Sequence, residues 1–364
     1  MYEPLPPGST IGILGSGQLG RMLALAAARL GLKCHIFADA HGPAMDVTAA
    51  QTIAAYGDEK ALAQFAASVS AVTYEFENVP VTTARFLERL LPVRPGPRAL
   101  EIAQDRLTEK TFITDLGIPV APFADISKAN DITAALDRWG TPAILKTRRL
   151  GYDGKGQISL TPGAGADTAL AAISGQPAVL EQRVTFVREV SVLLVRGVDG
   201  ASDAYDLPQN THANGILARS VVPAEIDCAT AQAAHAIAKR IADALGYVGL
   251  LAVEMFDLGP DAPTENRLIV NEIAPRVHNS GHWTIDACVT SQFENHMRAV
   301  AGWPLGSCAR HSDAVMENLI GTEAHDWQRL AREPGTALHL YGKGDARPGR
   351  KMGHVTRLTP KAVS

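Results

Sequence analysis

The sequence predicts an α/β protein with a parallel N-terminal sheet, followed by an α+β region built on antiparallel strands. From Ile11 to Leu91, short apolar runs alternate with helical stretches, which is the pattern of βαβ units. After "AVLEQRV" the chain becomes rich in strands, with one long helix near 229–245. We expect an antiparallel sheet there, with its helices on one side.

The first apolar strand, Ile11–Leu14, ends in the glycine turn "GSGQLG". An amphipathic helix follows and ends at Gly31, and a second strand leads to Asp39. This order matches the fingerprint of dinucleotide-binding proteins, in which the turn and a later acidic residue bind the cofactor. An NAD-dependent oxidoreductase is therefore one candidate function.

A domain boundary and a mobile loop follow. Three prolines and a glycine fall within "LPVRPGPRAL", which marks the end of the first domain. Beyond it, the predicted strands "PAILKT" and "GQISL" flank "RRLGYDGKG", whose three glycines let the backbone approach a ligand closely. We interpret this unit as a lid. The chain then divides into an N-terminal domain (1–112), a lid subdomain (113–180) and a larger C-terminal domain (181–364).

Composition and charge argue against several classes of protein. The net charge is −4, and no Lys/Arg run is long enough to follow a nucleic-acid backbone. The sequence has neither a signal-peptide pattern nor an apolar run of about eighteen residues. Four separated cysteines without a CxxC pair indicate buried thiols in a reducing compartment. We expect a soluble cytoplasmic protein with neither nucleic-acid nor membrane partners.

Two glutamates predict a metal site. Glu254 and Glu272 each interrupt an apolar strand, and they are equidistant from Pro263 in the connecting loop. A hairpin in that register places the carboxylates opposite each other, roughly 5 Å apart, where like charges destabilise the sheet. A divalent cation removes this penalty, and Mg²⁺ is commonly held by carboxylate oxygens with water and phosphate. The alternative is that one glutamate lies outside the sheet in solvent.

A group of cations predicts a nucleotide near this metal. Lys146 follows the apolar "PAIL" at a strand end beside the glycine loop, where a point charge can neutralise phosphate oxygens. A lone lysine is otherwise usually a solvated surface residue, but Arg106, Arg148, Arg149 and Lys155 add further cations nearby. With a Mg²⁺ site they indicate a nucleoside triphosphate. The sequence contains no GxxxxGK[ST], so this is not a P-loop protein.

Six motifs, taken in order, resemble the ATP-grasp superfamily and, within it, the N5-carboxyaminoimidazole ribonucleotide synthetases of purine biosynthesis. They are "GSGQLGRML", "TYEFENVP", "DRLTEKTF", "KTRRLGYDGKGQ", "NEIAPRVHNSGHWT" and "RPGRKMGHVT". The resemblance covers nearly the full length and is far more specific than the glycine turn alone. It implies an ATP-grasp fold whose N-terminal domain resembles half of a Rossmann fold, binds no dinucleotide, and turns its glycines toward the substrate pocket.

The resemblance also implies a homodimeric ligase that uses ATP and Mg²⁺. Bicarbonate would attack the γ-phosphate to give carboxyphosphate, which would carboxylate the exocyclic amine of 5-aminoimidazole ribonucleotide and leave ADP and phosphate. Such a reaction needs mainly positioning and charge neutralisation. The residues implied at ATP and the metal are Arg106 and Lys146 at the phosphates; Tyr152, Asp153, Gly154, Lys155, Gly156 and Gln157 in the lid; Glu181, Gln182, Arg183 and Val184 at the adenine; Glu189 at the ribose; His212 in the pocket; and Glu254, Glu272 and Asn271 at Mg²⁺.

Further residues are implied at the reacting groups. Tyr152, Asp153 and Lys155 belong to the lid near the reacting carboxyl group, although Asp153 capping a turn is the structural alternative. Arg276 and His278 are two residues apart, so an extended backbone points them the same way, toward the γ-phosphate and bicarbonate. We interpret the nearby His282 as a structural histidine.

The remaining candidates concern the ribonucleotide. Glu75 lies at the end of a first-domain strand, where open α/β sheets bind ligands, and together with Gln18 it is assigned to the aminoimidazole. A turn between two predicted strands gathers Lys343, Arg347, Arg350, Lys351 and, if protonated, His354. A solvated basic loop is the usual interpretation of such a run. Because arginine and glycine N–H groups suit phosphate, and because the family resemblance agrees, the 5′-phosphate is assigned to Lys343 and Arg350.

Other functions remain open at this stage. A related ATP-grasp ligase, such as a formate-dependent glycinamide ribonucleotide transformylase, would share the metal and nucleotide sites. The NAD-dependent oxidoreductase leaves the paired glutamates and the glycine lid without a role. A regulatory ATP-binding module is the non-enzymatic alternative.

Overall fold

The computed structural model describes residues 3–151 and 154–361. Its first part contains four strands and the helices that connect and follow them. The strands are β1 (Thr10–Leu14), β2 (Lys33–Ala38), β3 (Ala50–Ile53) and β4 (Ala71–Tyr74), and the helices are α1 (Gln18–Arg29), α2 (Glu59–Ala67), α3 (Val81–Glu88), α4 (Pro97–Ala103) and α5 (Arg106–Asp115). The strands pair in parallel in the order β3-β2-β1-β4, which confirms the predicted βαβ organisation.

The second sheet is small and antiparallel. It comprises β5 (Phe123–Ile126), β6 (Ala143–Thr147), β7 (Gln157–Leu160) and β8 (Ala178–Gln182), and carries α6 (Ala129–Trp139) and α7 (Ala166–Ala172). The order is β5-β8-β6-β7, so the strands that flank the glycine loop, β6 and β7, are neighbours. This sheet has an apolar core of its own, formed with its two helices.

The third sheet is large and antiparallel. Its strands are β9 (Arg188–Arg196), β10 (Ser202–Ala204), β11 (Gln209–Ala213), β12 (Ile216–Val222), β13 (Gly249–Asp257), β14 (Leu268–Ala274), β15 (Ser312–Ile320), β16 (Thr336–Leu340) and β17 (Lys351–Pro360). They follow the order β14-β13-β9-β11-β12-β15-β17-β16, and β10 pairs with β9. The accompanying α-helices are α8 (Cys228–Leu245), α9 (Thr284–Ala287), α10 (Gln292–Ala301) and α11 (Trp327–Leu330). Short 3-10 turns lie at Met45–Val47, Thr264–Asn266, Asn279–Gly281 and Gly321–Asp326.

Local sequence sets the boundaries of the long helix α8. The carboxylate of Asp227 accepts a hydrogen bond from the N–H of Thr230 at 2.8 Å, which caps the N-terminus. Gly246 closes the helix with φ of 57°, a left-handed conformation that glycine adopts without a Cβ penalty. The helix therefore begins close to the predicted start.

The prediction that the helices lie on one side of the large sheet is wrong. Val192 and Leu194 of β9 belong to the core that includes α8, whereas Leu193 and Val195 belong to the core that includes α10. Successive residues of a strand point to opposite faces, so β9 is buried on both. The uninterrupted apolar run at 192–195, without polar alternation, is the signal of a strand covered on both faces.

The parallel sheet and the large sheet share one apolar core through α1 and α10. His296 of α10 links the two sheets directly. Its Nε2 lies 2.8 Å from the hydroxyl of Thr73 in β4, and its Nδ1 accepts from the N–H of Leu250 in β13 at 3.0 Å. The first and third sheets are thereby held in a fixed relation to each other.

Candidate active site

A cavity of about 950 Å³ opens where residues of all three sheet regions meet. Most of the predicted site residues form part of its wall: Gln18, Glu75, Arg106, Lys146, Gly154, Lys155, Gln157, Glu181, Gln182, Arg183, Val184, Glu189, His212, Glu254, Asn271, Glu272, Arg276, His278, Lys343 and Arg350. Gly156 is exposed and does not line the cavity, and its carbonyl accepts from the N–H of Thr147 at 2.8 Å. Tyr152 and Asp153 lie outside the described residues.

The two predicted metal-binding glutamates are cross-strand partners. Glu254 of β13 pairs with Glu272 of β14, and a bulge follows directly after this pair. The register inferred from the loop is thus confirmed. One oxygen of Glu272 lies 3.1 Å from the guanidinium of Arg106, and one oxygen of Glu254 lies 2.9 Å from Nε2 of His278. Each of these two contacts uses one oxygen of its carboxylate.

The carboxylate of Glu254 stays ionised despite its burial. Burial alone would raise the pKa of Glu254, but His278, His212 and Arg276 together lower that pKa below its usual range. Facing carboxylate oxygens are the donors that a hard divalent cation prefers. The residues present therefore fit Mg²⁺.

A second cluster lies deeper, on the small sheet. Glu181 of β8 is 3% exposed, and its Oε2 lies 3.0 Å from Nζ of Lys146 and 3.2 Å from Nζ of Lys110. Burial opposes ionisation of Glu181, but the two ammonium groups lower its pKa. Its other oxygen, Oε1, is buried and has no hydrogen-bond partner among the residues that the structure describes. An unused acceptor in this position is a binding feature, since a buried oxygen of this kind normally has a donor.

Lys110 of α5 also belongs to this cluster, although it was not among the predicted site residues. Lys110 is 1% exposed, and besides Glu181 its ammonium contacts the carbonyl of Asn271 at 3.2 Å. It follows Arg106 by four residues in α5, so the two side chains share one face of the helix. That spacing in "DRLTEKTF" was the available signal.

Two of the cations expected at the nucleotide are engaged elsewhere. Asp105 caps α5 by accepting from the N–H groups of Leu107 and Thr108. The same carboxylate accepts from Nε and Nη2 of Arg148, at 3.0 and 2.8 Å, and from Nε of Arg149 at 3.4 Å. The two arginines therefore clamp the end of β6 to the start of α5, and neither forms part of the cavity wall.

The glycine turn binds a carboxylate of the protein itself. The N–H groups of Gly17 and Gly20 both donate to Glu75, the latter at 2.6 Å. A Cβ on Gly17 would lie 2.7 Å from Oε1 of Glu75, so only glycine permits this approach. Burial raises the pKa of Glu75, although these two N–H groups oppose the shift. The donors that hold pyrophosphate in dinucleotide-binding proteins are thus already occupied.

The segment after β14 supplies a cation and an imidazole to the cavity. Arg276 pairs with Glu77, a residue of "TYEFENVP" that sequence analysis did not assign. Burial opposes ionisation of Glu77, but Arg276 lowers its pKa. Gln292 holds the backbone of His278, accepting from its N–H at 2.9 Å and donating to its carbonyl at 2.6 Å. His282 is 1% exposed and contacts the same amide, which confirms its structural interpretation.

The basic turn between β16 and β17 forms one end of the cavity. Lys343, Arg347, Arg350 and Lys351 all line it. The expectation that His354 adds a fifth cation is wrong. His354 is fully buried within the sheet, where burial lowers its pKa well below the usual value, and its Nδ1 lies 2.8 Å from the hydroxyl of Tyr341.

Glu189 and His212 form a close ion pair on the opposite wall, from the neighbouring strands β9 and β11. Burial alone would lower the pKa of His212, but the carboxylate of Glu189 raises it above the usual value. The aromatic rings of Phe186 and Phe256 stack nearby at 4.6 Å and add an apolar surface that sequence analysis did not assign.

A separate group of possible metal ligands contains Asp286, His339 and His354. The two imidazole rings stack at 4.5 Å with an interplanar angle of 14°, so their in-plane lone pairs do not converge on one point. His339 instead lies 2.9 Å from the carboxylate of Asp286, which ties β16 to α9. This group is a packing contact.

Comparison with known proteins agrees with this arrangement. Three family models match consecutive parts of the chain: a ribonucleotide synthetase preATP-grasp domain at residues 9–104, an ATP-grasp domain at 111–293 and a phosphoribosylaminoimidazole carboxylase C-terminal domain at 314–363. Fold and site together define an ATP-grasp ligase.

Relatives that match over nearly the whole chain identify one family among the ATP-grasp ligases. N5-carboxyaminoimidazole ribonucleotide synthase of Brucella melitensis is 52% identical over 362 residues, covering 99% of each chain. The synthase of Pseudomonas aeruginosa is 46% identical, with 95% of this chain and 93% of that one covered. This chain belongs to the N5-carboxyaminoimidazole ribonucleotide synthase family.

Solved structures agree with the relatives. The synthetase from Thermus thermophilus has a TM-score of 0.88 and 47% identity, with 96% of this chain and 93% of that chain covered. The synthase from Aspergillus clavatus, in complex with ADP and 5-aminoimidazole ribonucleotide, has a TM-score of 0.89 and 28% identity, with 97% and 94% covered. Within the part of the chain that the structure describes, no helix is long and apolar enough to span a membrane.

Proposed function

We propose that this cavity carries out the ATP-dependent carboxylation of 5-aminoimidazole ribonucleotide to N5-carboxyaminoimidazole ribonucleotide, a step of purine biosynthesis. The observation that carries the proposal is the convergence on one cavity of a buried lysine–glutamate cluster, two facing carboxylates and a basic turn. The relative from Aspergillus clavatus, which holds ADP and 5-aminoimidazole ribonucleotide, supports it.

ATP is assigned to the cleft between the small and large sheets. The free oxygen of Glu181 would accept from the exocyclic amine of adenine, beside Gln182, Arg183 and Val184. Glu189, held by His212, would accept from the ribose hydroxyls. Arg106 and Lys146 would neutralise phosphate charge, and the lid residues 152–157 would close over the phosphates. A guanine base would present a carbonyl to Glu181, so two acceptors would face each other.

Mg²⁺ is assigned to Glu254 and Glu272, with Asn271 beside them. The cation would neutralise phosphate oxygens as negative charge moves onto the leaving ADP. Arg106 already contacts Glu272 at 3.1 Å, so the same guanidinium can contact both a metal ligand and a phosphate.

Bicarbonate is assigned to Arg276 and His278, next to the γ-phosphate. An oxygen of bicarbonate attacks the γ-phosphorus, the bond to the β-phosphate oxygen breaks, and ADP leaves. The amine nitrogen of the ribonucleotide then attacks the carboxyl carbon of carboxyphosphate. Phosphate leaves with the electron pair of the C–O bond, and the amine loses one proton. Lys155, Tyr152 and Asp153 would act near the reacting carboxyl group.

The ribonucleotide is assigned to the other end of the cavity. Lys343 and Arg350 would bind its 5′-phosphate, and Glu75 and Gln18 would face the aminoimidazole. Homodimerisation and a cytoplasmic location stay predictions from the sequence.

The deciding experiment is ADP release with ATP and bicarbonate, with and without 5-aminoimidazole ribonucleotide, followed by identification of the carboxylated product. ADP formation that depends on both small substrates is expected. Turnover with formate in place of bicarbonate would instead indicate a transformylase, and ADP formation that ignores the ribonucleotide would contradict the proposal.

A further inference from the structure

A chain of buried polar side chains runs from the large sheet to His278. Nδ1 of His278 lies 2.9 Å from the hydroxyl of Ser280, which lies 2.7 Å from that of Ser191. Ser191 accepts from the amide of Asn210 at 3.0 Å, and Asn210 accepts from Ser220 at 2.7 Å. The chain crosses the adjacent strands β9, β11 and β12 and ends at the imidazole.

These four residues are placed too deeply to touch a substrate. Ser191, Ser220 and Ser280 have no exposed surface, Asn210 is 7% exposed, and none of them lines the cavity. Polar side chains in a sheet interior carry a desolvation cost, which small apolar residues would avoid. Of the five hydrogen-bonded side chains in this row, only His278 lines the cavity.

The hydrogen bonds in this row all run in one donor-to-acceptor direction, which the backbone N–H of Ser280 determines. The N–H of Ser280 points at Nδ1 of His278 at 3.4 Å, and an N–H can only donate. Nδ1 must therefore present its lone pair, and the hydroxyl of Ser280 donates to it as well. Ser191 then donates to Ser280, and Asn210 donates to Ser191 through its NH₂ group. The opposite direction would set an Nδ1–H against the N–H of Ser280.

The direction fixes the place of the proton on the neutral ring. With Nδ1 as an acceptor, the proton sits on Nε2, which lies 2.9 Å from Oε1 of Glu254. Nε2–H therefore donates to that carboxylate. The backbone of His278 is held separately by Gln292, so the serine chain governs only the ring.

We propose that Ser280, Ser191, Asn210 and Ser220 are positioning residues that keep neutral His278 as the Nε2–H tautomer. In this form His278 holds one oxygen of Glu254, the residue that pairs with Glu272 across the hairpin. Outer partners of this kind orient metal-binding carboxylates. The same hydrogen bond makes His278 a donor in the resting enzyme, and its Nε2 has no lone pair with which to accept a proton from bicarbonate. Only the link to Glu254 as a metal ligand rests on the proposed function.

The test is the tautomer itself, measured by long-range ¹⁵N–¹H spectra of ring-labelled histidine in the full chain at pH 8, with His278→Gln used for assignment. The wild-type protein is expected to show Nε2 protonated and Nδ1 as an acceptor. Ser280→Ala and Ser191→Ala are expected to give a mixture of tautomers. Thr356→Val is the control, because the hydroxyl of Thr356 is buried but does not belong to the hydrogen-bonded row that ends at His278. This variant should give the wild-type tautomer pattern.

An Nδ1–H tautomer in the wild type, or unchanged tautomers in both alanine variants, would overturn the inference. If one variant does not fold, the wild-type spectrum and the other variant still decide. As a second measurement, the Mg²⁺ concentration for half-maximal ADP formation should rise about 10- to 100-fold in Ser280→Ala. If ADP formation does not depend on the ribonucleotide but the tautomers are as expected, the proposed function is wrong and the tautomer assignment still holds.

Discussion

The N–H of Gly20 donates to the carboxylate of Glu75 at 2.6 Å, so the glycine turn of this protein is occupied by one of its own side chains. A glycine turn before a helix therefore does not by itself identify a dinucleotide site. The carboxylate takes the negative charge that the helix N-terminus favours.

Glu75→Gln should lower the free energy of unfolding by about 1–3 kcal/mol. The amide NH₂ of glutamine would face the N–H of Gly17 or Gly20, leaving a buried donor unpaired. Urea denaturation measures the change, with Glu225→Gln on the surface as a control. Fluorescence titration should show no NADH binding to the wild type. Tight NADH binding, or an unchanged stability in Glu75→Gln, would contradict this account of the turn.

Glu254→Gln and Glu272→Gln should each abolish ADP formation at ordinary Mg²⁺ while preserving the fold. Each change removes one anionic oxygen donor and relieves repulsion across the β13–β14 pair. ADP release and the melting temperature are measured side by side. Near-wild-type turnover in either variant would rule out that carboxylate as a required metal ligand.

Lys343→Ala and Arg350→Ala should raise the KM for 5-aminoimidazole ribonucleotide about 10- to 150-fold, since charge-assisted hydrogen bonds contribute about 1.5–3 kcal/mol each. The KM for ATP should hardly change. Arg332→Ala, an exposed arginine outside the cavity, is the matched control. A raised KM for ATP with an unchanged KM for the ribonucleotide would assign the turn to the nucleotide instead.

The glycine loop at 149–156 should be cut by trypsin in the free enzyme and protected by Mg-ATP. Its basic residues are trypsin cleavage sites, and its glycines give the backbone the freedom to enter the protease. Closure over the phosphates would shield these sites. Fragments are identified by mass spectrometry, and protection at this loop is compared with cleavage at other exposed lysines. Equal cleavage with and without nucleotide would exclude a closing lid.

Stability should fall as the pH drops below about 6.5, the usual pKa of histidine in an unfolded chain. Burial lowers the pKa of His296 to about 3, so between these values the unfolded state binds a proton that the folded state does not. From pH 6.5 to 5.5 the protonation of this residue in the unfolded state should lower the free energy of unfolding by about 1 kcal/mol. Burial lowers the pKa of His282 and His354 in the same direction.

Urea denaturation at the two pH values measures this effect. His296→Gln should show a smaller pH dependence than the wild type, whereas His311→Gln, at an exposed position, should retain it. An equal pH dependence in His296→Gln and the wild type would show that His296 is protonated in the folded protein.

Patterns local in sequence predicted the strands and the pairing of Glu254 with Glu272, but not the bulge that shifts the register by one residue between this pair and the loop. Contacts between distant segments were not predictable in this way. Glu77 meets Arg276 across 199 positions of the chain, and only the assembled fold brings them together.

Charge alone was also misleading where the fold gives a cation a partner or buries it. Arg148 is neutralised by Asp105, which precedes it by 43 positions. His354 lies in the middle one of three paired strands, and its side chain is buried against Tyr341 and His282. A count of basic residues cannot distinguish such positions from cations that face a cavity.

The apolar core that the first and third sheets share limits which segments can be exchanged between synthases of this family. Separating the chain near residue 112 would strip the apolar partner from α1 and from α10 at once, and would leave His296 without Thr73. The small sheet differs, because its core is its own. A chimera that carries the small sheet of another synthase is therefore expected to fold, whereas a transplanted N-terminal third requires its own α10 and β13 to travel with it.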